Sequence, residues 1–139
     1  MPGYSGTPLP KKLGIKDGFH VRFIDAPSDV LAELKPSLEK CAQDAKGVLD
    51  FAMLFTKTSA ILKKDFPTIA KSLAPAGMLW VSLPKKTSGV TTDLNENMVR
   101  DIGLAAGLVD VKVCAVTDVW SGLKFVRRLK DRRHYKGRT

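Results

Sequence analysis

Apolar positions along the chain switch between two spacings, and the switches mark the elements. Residues 19–25 carry Val21, Phe23 and Ile24 and run into Ala26-Pro27, which predicts a first strand. Leu31, Leu34, Leu38, Cys41, Ala42 and Ala45 then recur at helical spacing. Ser28 is the expected cap of that helix, with Asp29 in its first turn, Pro36 kinking or splitting it and Gly47 closing it. Residues 48–55 are almost unbroken in apolar character, which predicts a strand buried on both faces in the middle of a parallel sheet. Thr58 or Ser59 caps a second helix with Leu62, Phe66, Ile69, Ala70 and Leu73 on its face and Pro67 inside, stopped by Pro75-Ala76-Gly77. Residues 78–83 read as a third strand. Asp93 with Glu96 predicts a capping box for a third helix, whose stripe is Met98, Val99, Ile102 and Ala106 and whose end is Gly107. Residues 109–116 and 123–129 read as a closing hairpin around residues 117–122, a turn too short for a crossover, so the last strand should run antiparallel to its neighbours.

This order predicts an α/β class chain. Its architecture is a three-layer Rossmann-like fold with a five-stranded, mostly parallel sheet and an antiparallel C-terminal strand. Residues 1–17 form an N-terminal segment with a short helix behind Thr7-Pro8, docked through Leu9, Leu13 and Ile15. Lys16-Asp17-Gly18 reads as the turn that follows. Residues 18–129 form a single domain and residues 130–139 a basic tail.

Composition changes this picture in one respect. With 139 residues and 44% apolar content the chain suits one domain with a sizeable core, and no apolar run approaches the ~18 residues of a membrane span. Residues 11–16 place Lys11, Lys12 and Lys16 where a signal peptide needs an apolar core. Two cysteines make neither a disulfide framework nor a four-thiolate zinc site. The expected setting is therefore cytoplasmic and soluble, with no membrane contact. The net charge of +9 is uneven: residues 124–139 hold eight basic residues against Asp131, a net +7, while the other 123 residues carry fifteen basic against thirteen acidic, a net +2. Lys124, Arg127, Arg128, Lys130, Arg132, Arg133, Lys136 and Arg138 would attract a polyanion, a nucleic acid or an acidic protein, through counterion release. They also read as a solvated, solubilising end. Tyr135 adds one aromatic ring for a base to stack on.

Candidate chemistry is sparse. Ligands of open α/β sheets sit beyond the carboxyl ends of the parallel strands. Residues 25–28, 56–59, 85–89 and 117–122 should gather there. Lys85, Lys86, Thr87, Ser88 and Gly89 hold the materials of an anion site, two ammonium groups, two hydroxyls and a permissive glycine, ahead of a helix N-terminus whose dipole Asp93 would weaken. Trp120 and Ser121 would offer an aromatic wall and a hydroxyl beside it. Against this, Lys85 and Lys86 read equally as a solvated turn and Trp120 as a packing residue. The loop lacks the Walker spacing. Cys41 and Cys114 read as core thiols, and His20 and His134 are far apart in the chain. Asp25, at a strand end, has no second acid placed to work with it. No catalytic residue, metal ligand or cofactor is expected. Two functions are open: a non-catalytic binding module for an acidic partner, or a binder of (or enzyme for) a nucleotide-like or phosphorylated small molecule using the 85–89 loop.

The order of elements, and the segment Leu73-Ala74-Pro75-Ala76-Gly77-Met78-Leu79-Trp80-Val81 in particular, resembles the class I methyltransferase sheet with its helix, Pro-Gly-Gly-like turn and strand. The resemblance implies a first loop with glycines that let backbone approach the cofactor, and a second strand ending in an acid that grips the ribose. Here Asp25-Ala26-Pro27-Ser28 has no glycine, and between Ile24 and Leu49 there is room for one helix only, so that strand is expected to be missing. The implied molecule is a shortened relative without the cofactor half. Residues 4–128, through Tyr4-Ser5-Gly6-Thr7-Pro8-Leu9, Ser88-Gly89-Val90, Gly107-Leu108-Val109-Asp110-Val111-Lys112-Val113 and Trp120-Ser121-Gly122-Leu123-Lys124, also resemble a small bacterial family known only as a domain of unknown function. That likeness implies the same fold and no activity.

Overall fold

Alternation along the central strands divides their side chains between two cores, and helices seal each one. The computed structural model describes residues 7–43 and 47–132. Its elements are α1 (Leu9–Leu13), β1 (His20–Ile24), α2 (Ser28–Leu38), β2 (Ala42–Gln43), β3 (Leu49–Phe55), α3 (Ser59–Lys71) and β4 (Leu73–Pro84), followed by a 3-10 turn (Lys86–Ser88), α4 (Glu96–Ala105), β5 (Leu108–Ala115), β6 (Trp120–Arg127) and α5 (Leu129–Arg132). The sheet order is β2-β1-β3-β4-β6-β5. Strands β2, β1, β3 and β4 are mutually parallel, and β6 is antiparallel to both β4 and β5. The fold is thus a three-layer Rossmann-like α/β sandwich.

The apolar run of residues 48–55 becomes β3, between β1 and β4. Ala52 and Leu54 join the core under α3 and α4 with Leu62, Phe66 and Val99. Phe51, Met53 and Phe55 join the core under α1 and α2 with Leu9, Leu13, Val30 and Leu34. Helix α1 docks as its leucines predict, and the buried indole of Trp80 donates to the Leu13 carbonyl at 3.0 Å. On the other face α4 presses its backbone onto β6. A Cβ on Gly103 would stand 2.2 Å from the ring of Phe125, so only glycine permits this approach. Phe125 in turn meets Phe66 edge-on with centroids 5.3 Å apart.

Several sequence expectations are corrected. The sheet has six strands, not five, because Ala42–Gln43 pairs with His20 and Val21 of β1. The strand expected to be missing is present at Ala42–Gln43, whose described residues are exposed and leave no apolar pattern. Pro75-Ala76-Gly77 does not stop a helix. Helix α3 ends at Lys71, and the Pro-Ala-Gly segment bulges within β4, whose pairing with β3 shifts from Leu49↔Leu73 to Phe51↔Met78. Pro36 lies in the last turn of α2 and does not split it. Neither Thr7 nor Ser28 caps a helix. Pro8 and Pro27 hold those positions with no side-chain bond. The cap of α4 is Asn95, which accepts from Met98 N–H at 2.9 Å, so Asp93 and Glu96 form no capping box. The last strand spans Trp120–Arg127 rather than residues 123–129, and Leu129–Arg132 coil into a short helix.

Candidate functional site

The chain leaves β1 in opposite lateral directions, first to β2 and then to β3, so the topological switch point lies between β1 and β3. The carboxyl-end rim there is built by Asp25 after β1, Thr56 after β3 and Lys85 after β4. Asp25 adopts φ 56°, in the left-handed region that a side chain other than glycine enters at a cost, least for Asp and Asn. Pro27, the N-cap of α2, contributes no N–H, and Asp29 puts an acid in the first turn. Strand β2 pairs Ala42 and Gln43 with His20 and Val21 of β1, and residues 44–46 after it lie outside the described residues. The first loop, Asp25-Ala26-Pro27-Ser28, has no glycine and a proline without an N–H, and does not fit the backbone-lined approach of an adenosyl site.

The next stretch of rim is satisfied internally. Asp93 accepts from the Ser59 hydroxyl at 2.7 Å and from the Ser59 N–H at 2.9 Å, at the first turn of α3. Thr58 accepts from Ile61 N–H at 3.4 Å, and the Thr92 hydroxyl donates to the Lys57 carbonyl at 2.6 Å. The Ser59 hydroxyl foremost, then its N–H, with the charge of Lys63 adding to them, hold the Asp93 carboxyl below the ordinary carboxylate range. The place that a bound anion would take at this helix N-terminus is filled by the chain's own carboxylate.

The third stretch is different. Lys85 N–H donates to the Val119 carbonyl at 2.7 Å, fastening the loop to the β5–β6 turn. The Ser88 hydroxyl donates to the Lys85 carbonyl at 2.7 Å and accepts from Val90 N–H at 3.2 Å, and Gly89 closes the turn at φ 78°. Ser88 therefore braces the loop, and Thr87 is exposed outside it. Lys85 is half-buried and Lys86 exposed. Neither ammonium forms an ion pair with a described residue. Both line an open groove of about 640 Å³ floored by Leu83 and Pro84, with Ser121 at one side and Asn97 and Arg100 of α4 opposite. Arg100 is already countered, by Asp110 at 2.9 Å and Glu96 at 3.3 Å. Glu96 lines the groove as well, shared with Arg100, so Lys85 and Lys86 are its two ammonium groups without an ion pair to a described residue.

The structure brings Lys85, Lys86 and Ser121 together, but not Trp120. Consecutive residues of a strand point to opposite faces. Ser121 faces the groove, while the Trp120 indole lies in the core under α1 and α2, edge-on to Phe55 at 5.2 Å. The α4 wall, Asn97 and Arg100, was not read from sequence. Its signal is the polar face of the helix that opens at Asn95.

The basic C-terminal residues are dispersed. The Arg127 guanidinium donates to the carbonyls of Ala70 and Leu73, at 2.7 and 3.0 Å, and so holds the end of α3. Arg132 donates to the Arg127 carbonyl at 3.1 Å. Lys124 sits in mid-strand, and Arg128 and Lys130 are exposed. Arg133, Lys136 and Arg138, with His134 and Tyr135, lie outside the described residues. Cys41 and Cys114 are half-buried without a disulfide, and burial pushes both thiols up, as suits core thiols rather than nucleophiles. Among the described residues no group of His, Cys, Asp and Glu could hold a metal ion, and no helix is long and apolar enough to cross a membrane.

No family model and no curated protein matches the chain. Solved structures do. A magnesium protoporphyrin IX methyltransferase from Synechocystis PCC 6803, solved with bound SAH, aligns with TM-score 0.57 at 11% identity, over 86% of this chain and 78% of that one. A putative methyltransferase from Thermoplasma acidophilum aligns with TM-score 0.56 at 9% identity, over 88% and 75%. The ribosomal protein L11 methylase from Lactobacillus delbrueckii subsp. bulgaricus aligns with TM-score 0.54 at 11% identity, over 86% and 75%. At these identities the likeness carries the fold.

Proposed function

We propose that this methyltransferase-like fold serves as a non-catalytic binding module for an acidic partner, a nucleic acid or an acidic protein. The acidic group of that partner enters the groove between Lys85-Lys86 and α4. The observation that carries the reading is a contrast along one rim. Asp93 fills the N-terminus of α3 at Ser59, and the first loop offers the acid Asp25 and a proline without an N–H, whereas Lys85 and Lys86 form no ion pair with a described residue, Glu96 on the far wall being held by Arg100. A carboxylate or phosphate between them gains two charge-assisted contacts over an apolar floor. Titration of the full chain with an oligonucleotide and with an acidic peptide, each at two salt concentrations, tests it. Lys85→Ala combined with Lys86→Ala should weaken binding at low salt by about tenfold. Unchanged affinity for both ligands removes the groove from the interface.

A second reading, a pocket for a nucleotide or phosphorylated metabolite, is favoured by the groove's volume of about 640 Å³, within the range of small-molecule sites. A ligand present at ~100 times its Kd would stabilise the fold by about 2.7 kcal/mol, visible in a thermal-shift screen. A shift with S-adenosylmethionine would overturn the non-catalytic reading.

A further inference from the structure

A second concentration of positive charge lies on the face of the sheet that α1 crosses, away from the groove. Lys112 of β5 stands directly opposite Lys124 of β6 in the antiparallel register. Both share a face with Cys114 and Val126, which pack on the core beneath α1. The Lys12 ammonium donates to the Ala115 carbonyl at 3.0 Å, and that of Lys112 to the Lys12 carbonyl at 3.1 Å, so α1 and β5 hold each other's lysines in place. Lys16, in the turn after α1, completes the set. Lys124 is half-buried; desolvation first, then the charges of Lys112 and Lys16, push its ammonium below the ordinary lysine range. Lys16, Lys112 and Lys124 form no ion pair with a described residue.

Like charges directly opposite on neighbouring strands work against the sheet, and a half-buried lysine among them does so more. An anion laid across the three relieves all of them at once. The ammonium groups come from two strands about 4.8 Å apart and a flanking turn, a row rather than a pocket. That arrangement suits an extended chain of charges. At the rim end of β6, four residues from Lys124 and on the same face, Trp120 is half-buried, packed against the core and edge-on to Phe55. Trp120 stands off this row, along β6 rather than across the strands, so a nucleic acid whose phosphates meet Lys124 would turn along β6 to bring a base to the ring, and an acidic peptide has no need of an aromatic surface.

We infer that Lys16, Lys112 and Lys124 form a track for the phosphodiester backbone of a single-stranded nucleic acid, with Trp120, at the rim end of β6, as the stacking surface. This deepens the reading above and rests on its acidic partner, but it uses the opposite face of the sheet.

The test is fluorescence anisotropy of the full chain with a labelled single strand of about a dozen nucleotides, a length within one ordinary single-strand site, across a salt series. Lys16→Gln, Lys112→Gln and Lys124→Gln together should lower affinity at least tenfold. They should also make the slope of log K against log salt shallower by about 2, at roughly 0.7 per phosphate contact. Lys16→Gln with Lys124→Gln removes none of the hydrogen bonds described here, so it should keep the fold and show part of the same loss. Trp120→Leu should weaken binding several-fold with the slope unchanged. Wild-type affinity and slope in the triple variant overturn the track. So does loss of binding to polyglutamate or to anionic vesicles with the oligonucleotide unaffected. The Lys85→Ala, Lys86→Ala chain separates the two readings. If it alone loses the oligonucleotide, the groove stands and the track falls. If only the lysine triple does, the track stands and the groove falls.

Discussion

The two halves of the sheet are built to different standards. On one side β6 is laddered to β4 over seven register pairs, from Met78↔Val126 to Pro84↔Trp120, and to β5 over seven more. On the other side β1 pairs with β2 at two positions among the described residues, His20↔Ala42 and Val21↔Gln43. The well-laddered half is closed by α4 through Gly103 and carries both lysine surfaces. The other half holds the switch-point loops, where Asp25 adopts φ 56° and Pro27 is the N-cap of α2.

The largest effect should come from emptying the strong half. Phe125→Ala removes a fully buried ring edge-on to Phe66 and should cost about 3–5 kcal/mol, the range for a core phenylalanine. Phe23→Ala, on a half-buried residue of β1, should cost roughly half as much in the same denaturant titration. Equal losses would mean that the two halves contribute alike.

Overfilling is the next test. Gly103→Ala places a methyl group 2.2 Å from the Phe125 ring and should destabilise by about 1–3 kcal/mol, despite alanine's better helix propensity. A stabilised variant in thermal melts would show that α4 is free to move off the sheet.

The smallest effect is electrostatic. The folded pKa of Asp93 lies below its unfolded value of about 3.9, so its bonds to Ser59 contribute stability at pH above that value. The contribution is lost as pH falls through the folded pKa. Wild type should therefore exceed Asp93→Asn in melting temperature by a small constant margin near neutral pH. That margin should begin to close near pH 4, by about the unfolded pKa, and vanish in stronger acid. A margin unchanged at low pH would show that the carboxylate's charge is not what ties α3 to the segment before α4.

Much of this architecture could be read from residue order because burial imposes its own period. A run such as residues 48–55 can only lie between two cores, and β3 does. Leu62, Phe66 and Ile69 mark the face of α3 as expected. What stayed hidden follows physical rules too. Two exposed residues, Ala42 and Gln43, carry no burial period, so β2 left no trace. The role of Asp93 depends on Ser59, 34 residues earlier, and spacing rules see only neighbours. Trp120 was placed beside Lys85 because the last strand was expected to begin at Leu123, which left the direction of its side chain open. With β6 beginning at Trp120, strict alternation sends Trp120 and Ser121 to opposite faces. Lys85, Lys86 and Ser121 were legible as a group through the rule that ligands gather at strand ends. The opposing pair Lys112 and Lys124 was not, since it appears only when two strands are set in register.

The position of β6 has a consequence for how the chain completes itself. The latest strand along the sequence is an interior one, inserted between β4 and β5 rather than added at a border. Before residues 120–127 are available, β4 and β5 have no common partner and the Phe66 ring has no lid. A cut just after Ala115 would split the sheet down its middle instead of trimming a margin, so the pairing of β4 and β5 into one sheet depends on residues 120–127.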